Sequence, residues 1–311
     1  MKRSNLSIIV FTLTALSFFA LALYSTARSE SPIDTKTGPE SRGDDATSQD
    51  PKRQPTPEIN GVILGQGLLK VLSFYDGNAN GILDPSDSEL VNWPITISPL
   101  GIVKLTPVSV DLSSSLNPYT LTEGVPLQTN WVQSTSDSIT VNVVEGRVRE
   151  VDFGNYCTIS SGGRGLGFWS NRNGQSLLTE ADFASLTDAK LVNSDGSDRD
   201  FTSSLALNKA ALKSWLLNAD GVNAAYMLST QLAIMKLNIL HGFVDGNAFA
   251  LCYGGSVNNL SKGANTALVA DQSTFANDAN RSTQEVLKNC MDTLNNGGPV
   301  VPVTPCPYSF P

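Results

Sequence analysis

The residues best placed to do chemistry lie in one short stretch, Asp76–Asp87, which reads DGNANGILDPSD. Its oxygen-bearing side chains occupy loop positions one, three, five, nine and twelve, and Gly81 is sixth. A single loop wraps a hard, oxygen-seeking cation with this spacing, and the position-seven carbonyl adds a further ligand. The sequence therefore predicts a Ca²⁺ site with the ligands Asp76, Asn78, Asn80, Ile82 (through its carbonyl), Asp84 and Asp87.

The alternative for this stretch is a metal-free turn in which Asn and Asp side chains bond to their own backbone. Five oxygen side chains in register, together with Gly81, favour calcium. The ion would neutralise clustered carboxylates and fix the end of the preceding strand, so its binding energy would become folding energy. A second acidic stretch, Asp195–Asp200, lacks a glycine at its sixth position and is predicted to be a solvated loop.

Residues for catalysis are scarce. His241 is the only histidine, and no serine lies in a nucleophile-elbow motif. Its position at the end of an apolar segment favours a structural role at a helix C-terminus. The glycine-rich run 162–167 lacks the lysine and Ser/Thr of a phosphate-binding loop. We therefore expect no enzyme, although an extracellular enzyme using carboxylates in the C-terminal half stays open as an alternative.

The N-terminus has the features of an exported bacterial protein. Residues 1–27 combine Lys2 and Arg3, an apolar run and a small-residue exit, which predicts a signal peptide rather than an anchor. Residues 28–58 are polar and are predicted to be a disordered linker. Beyond the signal, 19 basic residues face 29 acidic ones, a net charge of about −10 that argues against nucleic-acid binding. No membrane span is expected in the mature chain.

The remaining chain divides into a β part and a helical part. Short β-type runs fill 59–156, and in Ser138–Val144 the apolar residues alternate with polar ones, which predicts an antiparallel β-sandwich. Helical patterns follow in 157–296, with Thr179 as one cap and Ser282–Glu285 as a capping box. Residues 297–311 form a proline-rich tail. Four cysteines in an exported chain predict disulfides, in any of three connectivities: Cys157, Cys252, Cys290 and Cys306.

Several ordered motifs carry a resemblance. The run Phe74–Asp84, then Trp93–Ile97, Thr122–Pro126, Asn130–Thr135 and Asp152–Tyr156, resembles SD-repeat-type B domains, the Cna-B-like (Ig-like) β-sandwiches of bacterial surface proteins. The resemblance covers about 60–156 and implies a calcium-stabilised stalk module with the ligands already named. Position twelve is usually a glutamate, whereas here it is Asp87 with Glu89 nearby. The segment 99–119 also departs from the family pattern.

The resemblance raises one further possibility. Related Cna-B pilin modules contain a Lys–Asn isopeptide crosslink, for which Lys70, Asn155 and an acid such as Glu123 or Glu150 are the candidates here. The helical part is similar to uncharacterised exported bacterial proteins with a GFWSNxNG motif, here Gly167–Gly174. Phe168 and Trp169 of this motif would form either a carbohydrate-binding shelf or a hydrophobic plug between the domains.

We therefore expect a secreted or cell-surface bacterial protein with a structural or adhesive role. Its partner would be an extracellular protein or a polysaccharide. The alternatives are the extracellular enzyme and a carbohydrate- or protein-binding module.

Overall fold

The computed structural model describes residues 65–311. The predicted signal 1–27, the predicted linker 28–58 and the first residues of the predicted β domain lie outside the described residues. Residues 65–311 all fall within one compact unit. None of the helices in 65–311 is long and apolar enough to cross a membrane.

Strands come first and helices follow, as expected. The strands before residue 158 are β1 Gln66–Tyr75, β2 Ser88–Leu90, β3 Pro94–Ser98, β4 Ile102–Leu105, β5 Val108–Ser113, β6 Tyr119–Glu123, β7 Trp131–Gln133, β8 Ser138–Val141 and β9 Val148–Cys157. The helices are α1 Leu166–Ser170, α2 Arg172–Leu177, α3 Glu180–Thr187, α4 Leu205–Leu217, α5 Ala224–Leu240, α6 Val257–Ala270 and α7 Arg281–Asn295. Four two-residue strands complete the described chain: β10 Ile159–Ser160, β11 Phe249–Ala250, β12 Gly255–Ser256 and β13 Pro299–Val300.

The larger strands form two sheets. One has the order β2-β1-β9-β7, with β5 also paired to β1, and the other has the order β4-β3-β6-β8. The prediction of wholly antiparallel pairing is wrong at one position, because β1 and β9 run parallel from the Leu68–Val148 pair to the Tyr75–Asn155 pair. Between β1 and β9 the chain passes through the other sheet and returns. A crossover of this kind, unlike a hairpin, allows two neighbouring strands to run parallel.

Both sheets contribute to one hydrophobic core. Leu69 and Val71 of β1 and Phe153 of β9 share a cluster with Ile95 of β3 and Leu121 of β6. Each is buried, and side chains of this size contribute about 1.5–3 kcal/mol each when removed from water. The alternation along β1 therefore fixes which of its residues face the second sheet.

The helical part surrounds α5, which is buried almost all round. It packs on α3, α6 and α7, which cover it on several sides. Thr179 caps α3, as predicted, and forms a capping box with Asp182. The predicted capping box at Ser282–Glu285 is wrong. α7 begins at Arg281 and its N-cap is Asn280, and Glu285 instead pairs with the Arg281 guanidinium at 2.7 Å.

The proline-rich tail folds back onto the β part. Cys306 is bonded to Cys157 at the end of β9, and Cys252 to Cys290, so the prediction of disulfides is confirmed. Beyond Cys306, the ring of Tyr308 lies 4.9 Å from that of Trp93, and the ring of Phe310 lies 5.0 Å from it. Trp93 is fully buried under this tail, so it is a packing residue.

Candidate metal loop and the buried polar site beside it

The predicted calcium loop joins β1 to β2, and Asp76 organises it. This carboxylate is fully buried, and its Oδ1 accepts from the Asn80 backbone N–H at 3.1 Å while Oδ2 accepts from that of Gly81 at 2.7 Å. Gly81 has φ +73°, and a Cβ there would lie 2.8 Å from the Ser134 carbonyl oxygen. Glycine is therefore required at this position by both the turn and the close approach.

The alternate side chains of the loop converge on Asp84. Its Oδ2 accepts from Asn78 Nδ2 at 2.7 Å and from Asn80 Nδ2 at 2.9 Å. The amide oxygens of the same two asparagines close local turns. Asn78 Oδ1 accepts from the Asn80 N–H at 3.2 Å, and Asn80 Oδ1 accepts from the Ile82 N–H at 2.7 Å. Hydrogen bonds from a side-chain oxygen to a nearby backbone N–H, such as these two, are those expected of a metal-free turn.

Asp87 closes the loop at its far end. Its Oδ2 accepts from the Asp84 N–H at 2.8 Å and its Oδ1 from the Gly77 N–H at 3.3 Å. The Ile82 side chain is exposed, so only its backbone has a place in a ligand set. The structure thus brings Asp76, Asn78, Asn80, Asp84 and Asp87 into one hydrogen-bonded loop.

The donor set is of the kind that calcium prefers, with carboxylate and carboxamide oxygens and no nitrogen or sulfur ligand. Within residues 65–311, however, no three His, Cys, Asp or Glu side chains lie close enough together to hold a metal ion. To bind one, Asn78 and Asn80 would have to turn their amide oxygens inward, where their nitrogens now donate to Asp84. The residues fit calcium in type and order, and the arrangement described is closed by its own hydrogen bonds.

A second polar site is buried between the sheets, close to the start of this loop. Glu123 of β6 accepts through Oε1 from Ser73 Oγ and from Asn155 Nδ2, both at 2.8 Å, and through Oε2 from Gln133 Nε2 at 3.2 Å. Ser73, Glu123 and Asn155 are all buried. Burial raises the pKa of the Glu123 carboxyl, because the charged form loses water, and the three hydrogen bonds oppose this shift only in part.

This site bears directly on the predicted crosslink. Lys70 lies on the outer face of β1, half exposed, with its Nζ 3.9 Å from Glu150 of β9. Asn155 faces inward and is aligned with Tyr75, five residues further along β1. Ser73, rather than a lysine, faces the buried acid and the asparagine. The structure therefore does not bring Lys70 and Asn155 together, and the hydrogen bonds of Ser73 and Asn155 to Glu123 occupy the place of a crosslink.

The aromatic pair in the Gly167–Gly174 motif is internal to the helical part. Trp169 is fully buried, and its Nε1 donates to Asn238 Oδ1 at 3.2 Å. It packs in the core of the helical part, so it is neither an exposed carbohydrate shelf nor a plug between the domains. Asn171 has a capping role, since its Oδ1 accepts from the Asn173 and Gly174 backbone N–H groups at the start of α2.

His241 lies at the end of α5 and contacts the start of α3. Its Nε2 is 3.2 Å from Asp182 Oδ1, and the two atoms do not form a hydrogen bond. The other oxygen of Asp182 accepts from the Thr179 N–H and hydroxyl. The imidazole lies 5.2 Å from the Trp169 ring. These contacts support the structural role predicted for His241.

The acidic stretch Asp195–Asp200 behaves as an ordinary loop. Asp195 Oδ1 accepts from the Ser197 N–H and hydroxyl, and these hydrogen bonds hold the pKa of Asp195 below its usual value. Asp198 pairs with Lys190 instead of turning toward Asp195. The prediction of a solvated loop agrees with these contacts.

The sequence prediction did not include the buried role of Glu123. A signal was present, because Tyr119 and Leu121 alternate with threonines, and the same period places Glu123 on the inward face. The aromatic contacts of the tail were also missed. They join residues more than 200 positions apart, and no local pattern signals them.

Comparison with known proteins adds little. No family model and no curated protein matches the sequence. Among solved structures, a weak likeness is found to the crystal structure of GBS52, the minor pilin in the gram-positive pathogen Streptococcus agalactiae. The TM-score is 0.19 and the identity 12%, over 29% of this chain and 44% of that one, so the match spans less than half of the pilin chain. A likeness at this TM-score carries no argument about fold or function.

Proposed function

We propose that this chain is an exported bacterial protein with a structural or adhesive role, and that calcium bound by the Asp76–Asp87 loop stabilises it. The observation that carries the proposal is that the side chains of Asn78 and Asn80 meet at Asp84 in a loop that begins at the buried carboxylate of Asp76, at the end of β1. Ion binding there would hold β1 and β2 in place without any catalytic step.

Two further observations support the proposed extracytoplasmic location and the proposed fold. All four cysteines are paired, and disulfides persist in oxidising, extracytoplasmic compartments. Two sheets share one core, which is the layering of the Cna-B-like β-sandwich that the sequence resembles. We therefore propose that fold for 65–156, and a cell-surface or secreted location for the protein.

An enzymatic role has less support. Among residues 65–311, burial raises the pKa of two carboxyls, Glu123 and Asp152, and both belong to the β part rather than to a cleft of the helical part. Glu123 is held by three hydrogen bonds of structural character. We propose no catalytic activity on this basis.

The test is thermal unfolding of the chain from residue 28 onward, with calcium and after chelation, at matched ionic strength. Calcium at about 100 times its dissociation constant would stabilise the protein by about 2.7 kcal/mol, a rise in Tm of roughly 5–10 °C for a chain of this size. Asp84→Asn removes one charge from the loop and keeps the side-chain shape, so it should reduce this rise. Asp195→Asn, in the other acidic loop, is the matched control.

Asp76→Ala is a poorer test, because its oxygens accept two backbone N–H groups whether or not an ion is bound. The proposal fails if chelation leaves Tm unchanged. It fails equally if Asp84→Asn responds to calcium as fully as the unmodified chain does.

A further inference from the structure

A cleft of about 370 Å³ opens among α3, α5 and α6 in the helical part. The α5 wall includes the apolar residues Leu232 and Ile239 and also Lys236. The opposite wall carries polar groups of α6. A volume of this size, with mixed walls, lies in the range of small-molecule sites and suits one or two sugar rings.

Both walls supply donors that lack partners. Lys236 and Lys262 both line the cleft, and neither forms an ion pair with any residue in 65–311. The Ser261 hydroxyl is buried there without a hydrogen-bond partner in the described chain. Asn265 accepts the Lys190 N–H through Oδ1 at 2.7 Å, which leaves its amide nitrogen as a further donor.

Charge favours an anionic ligand in this cleft. Two ammonium groups face one acidic lining residue, Asp188, which is exposed at the rim. The chain as a whole carries a net charge of −8, so it does not attract anions generally. A local excess of positive charge, next to a buried hydroxyl that lacks a partner, indicates a small anion with hydroxyl groups of its own.

A separate shallow groove on α6 shares one lining residue, Lys262, with the cleft. Tyr253 lines this groove and is 37% exposed. Gly255 and Gly263 lie beside its ring, where an added Cβ would come within 3.1 and 2.8 Å of Tyr253 atoms. Glycine at both positions places no side chain against the ring, and a partly exposed aromatic ring is the kind of surface on which the C–H face of a sugar packs.

We propose that this cleft binds a uronic-acid residue of an acidic polysaccharide, with the neighbouring sugar packed along Tyr253. Lys236 and Lys262 would hold the carboxylate, and Ser261 and Asn265 would donate to ring hydroxyls or their oxygens. The proposal deepens the adhesive role proposed above by naming the class of ligand. It does not depend on calcium, because the cleft lies in the helical part.

The experiment is titration calorimetry of the full chain from residue 28 with defined oligosaccharides, in the presence of a chelator. Glucuronate oligomers are the positive probe. Glucose oligomers of equal length lack the carboxylate, and dextran sulfate carries sulfate in its place. Measurable binding is expected for the glucuronate oligomers alone. Lys262→Gln should weaken it at least tenfold, because each lysine contributes a charge-assisted hydrogen bond.

Lys236 is half-buried, so replacing it could destabilise the fold, and weaker binding by Lys236→Gln counts only if its Tm is unchanged. Lys262 is exposed, so Lys262→Gln should leave the fold intact. Lys213→Gln on α4 is the charge-matched control and should bind as the unmodified chain does. Three results would overturn the proposal: no binding of glucuronate oligomers at millimolar concentration, equal binding of glucose oligomers or dextran sulfate, or undiminished binding by Lys262→Gln. Because chelator is present throughout, failure of the calcium proposal would leave this result unaffected.

Discussion

Glu123 offers the sharpest test of how the two sheets are held together. In Glu123→Ala, the hydroxyl of Ser73 and the amide of Asn155 lose their acceptor while remaining buried at 0% and 1% exposure. Each buried donor left without a partner costs about 1–3 kcal/mol. The removed methylene and carboxyl also leave a cavity. The expected loss of unfolding free energy is therefore about 3–5 kcal/mol.

Glu123→Gln should behave differently. The glutamine keeps the oxygen that accepts from Ser73 and Asn155, and Gln133 can turn its own amide to accept from the new Nε2. The change therefore costs about 1 kcal/mol or less at low pH.

The same pair of proteins gives a prediction for pH. The folded-state pKa of Glu123 is raised, so the stability that this group contributes is fully present below its unfolded pKa of about 4.3. That contribution is lost as the pH rises through the folded pKa. Glu123→Gln has no ionisable carboxyl at this position, so its stability does not fall with pH for this reason. The stability of this variant relative to the unmodified chain should therefore increase from about pH 4 upward.

The assay is urea unfolding at a series of pH values, followed by near-ultraviolet circular dichroism, with the disulfides intact. Comparing the two proteins at each pH cancels the titration of the other carboxyls. Two outcomes would refute the reasoning. One is a difference between Glu123→Gln and the unmodified chain that does not change with pH. The other is a Glu123→Ala variant that is no less stable than Glu123→Gln.

Three further predictions concern covalent links, turns and the helical core. Replacing both cysteines of the Cys157–Cys306 bond, which are 149 residues apart, should lower the free energy of unfolding in denaturant by about 5 kcal/mol. The same change at Cys252–Cys290, 38 residues apart, should lower it by about 4 kcal/mol, because the shorter loop restricts the unfolded chain less. Equal losses would contradict the loop-length reasoning. Gly81→Ala should lower Tm more than Gly101→Ala, because both have positive φ but only the first meets a backbone oxygen, at 2.8 Å. Asn238→Leu should destabilise the chain by about 3 kcal/mol or more in urea, because it orphans a buried indole N–H and two backbone groups. A milder effect would mean that water replaces those bonds.

Strand and helix patterns were readable where they were strongly periodic. β8 lies within Ser138–Val144, where the alternation predicts a strand, and α3 begins directly after the predicted cap Thr179. β5 and α6 were missed although their apolar residues show the right period, at 108, 110 and 112 and at 257, 260, 264 and 268. Prolines beside the strand and Asn, Ser and Gly within the helix weakened both signals.

The candidate sites also differ in how far the sequence predicts them, depending on whether their residues are close together in the chain. The Asp76–Asp87 loop is contiguous, so its spacing alone brought the right residues together. Whether Lys70 lies beside Asn155 depends on the register between β1 and β9, whose paired residues are about 80 positions apart in the chain. A local pattern gives the period of each strand but not which residues of distant strands meet. The cleft of the helical part arises from three helices, and no single segment signals it.

The bond between Cys157 and Cys306 has a mechanical consequence. Tension applied between the start of β1 and the residues after Cys306 passes along the parallel pair β1–β9 and then directly through this bond. The parallel strands are pulled in shear, so their hydrogen bonds resist together rather than one at a time. The helical part lies inside the covalent loop and carries none of that tension. Even after the sheets give way, about 500 Å of chain, some 149 residues at 3.4 Å each, cannot be drawn out until the bond is reduced.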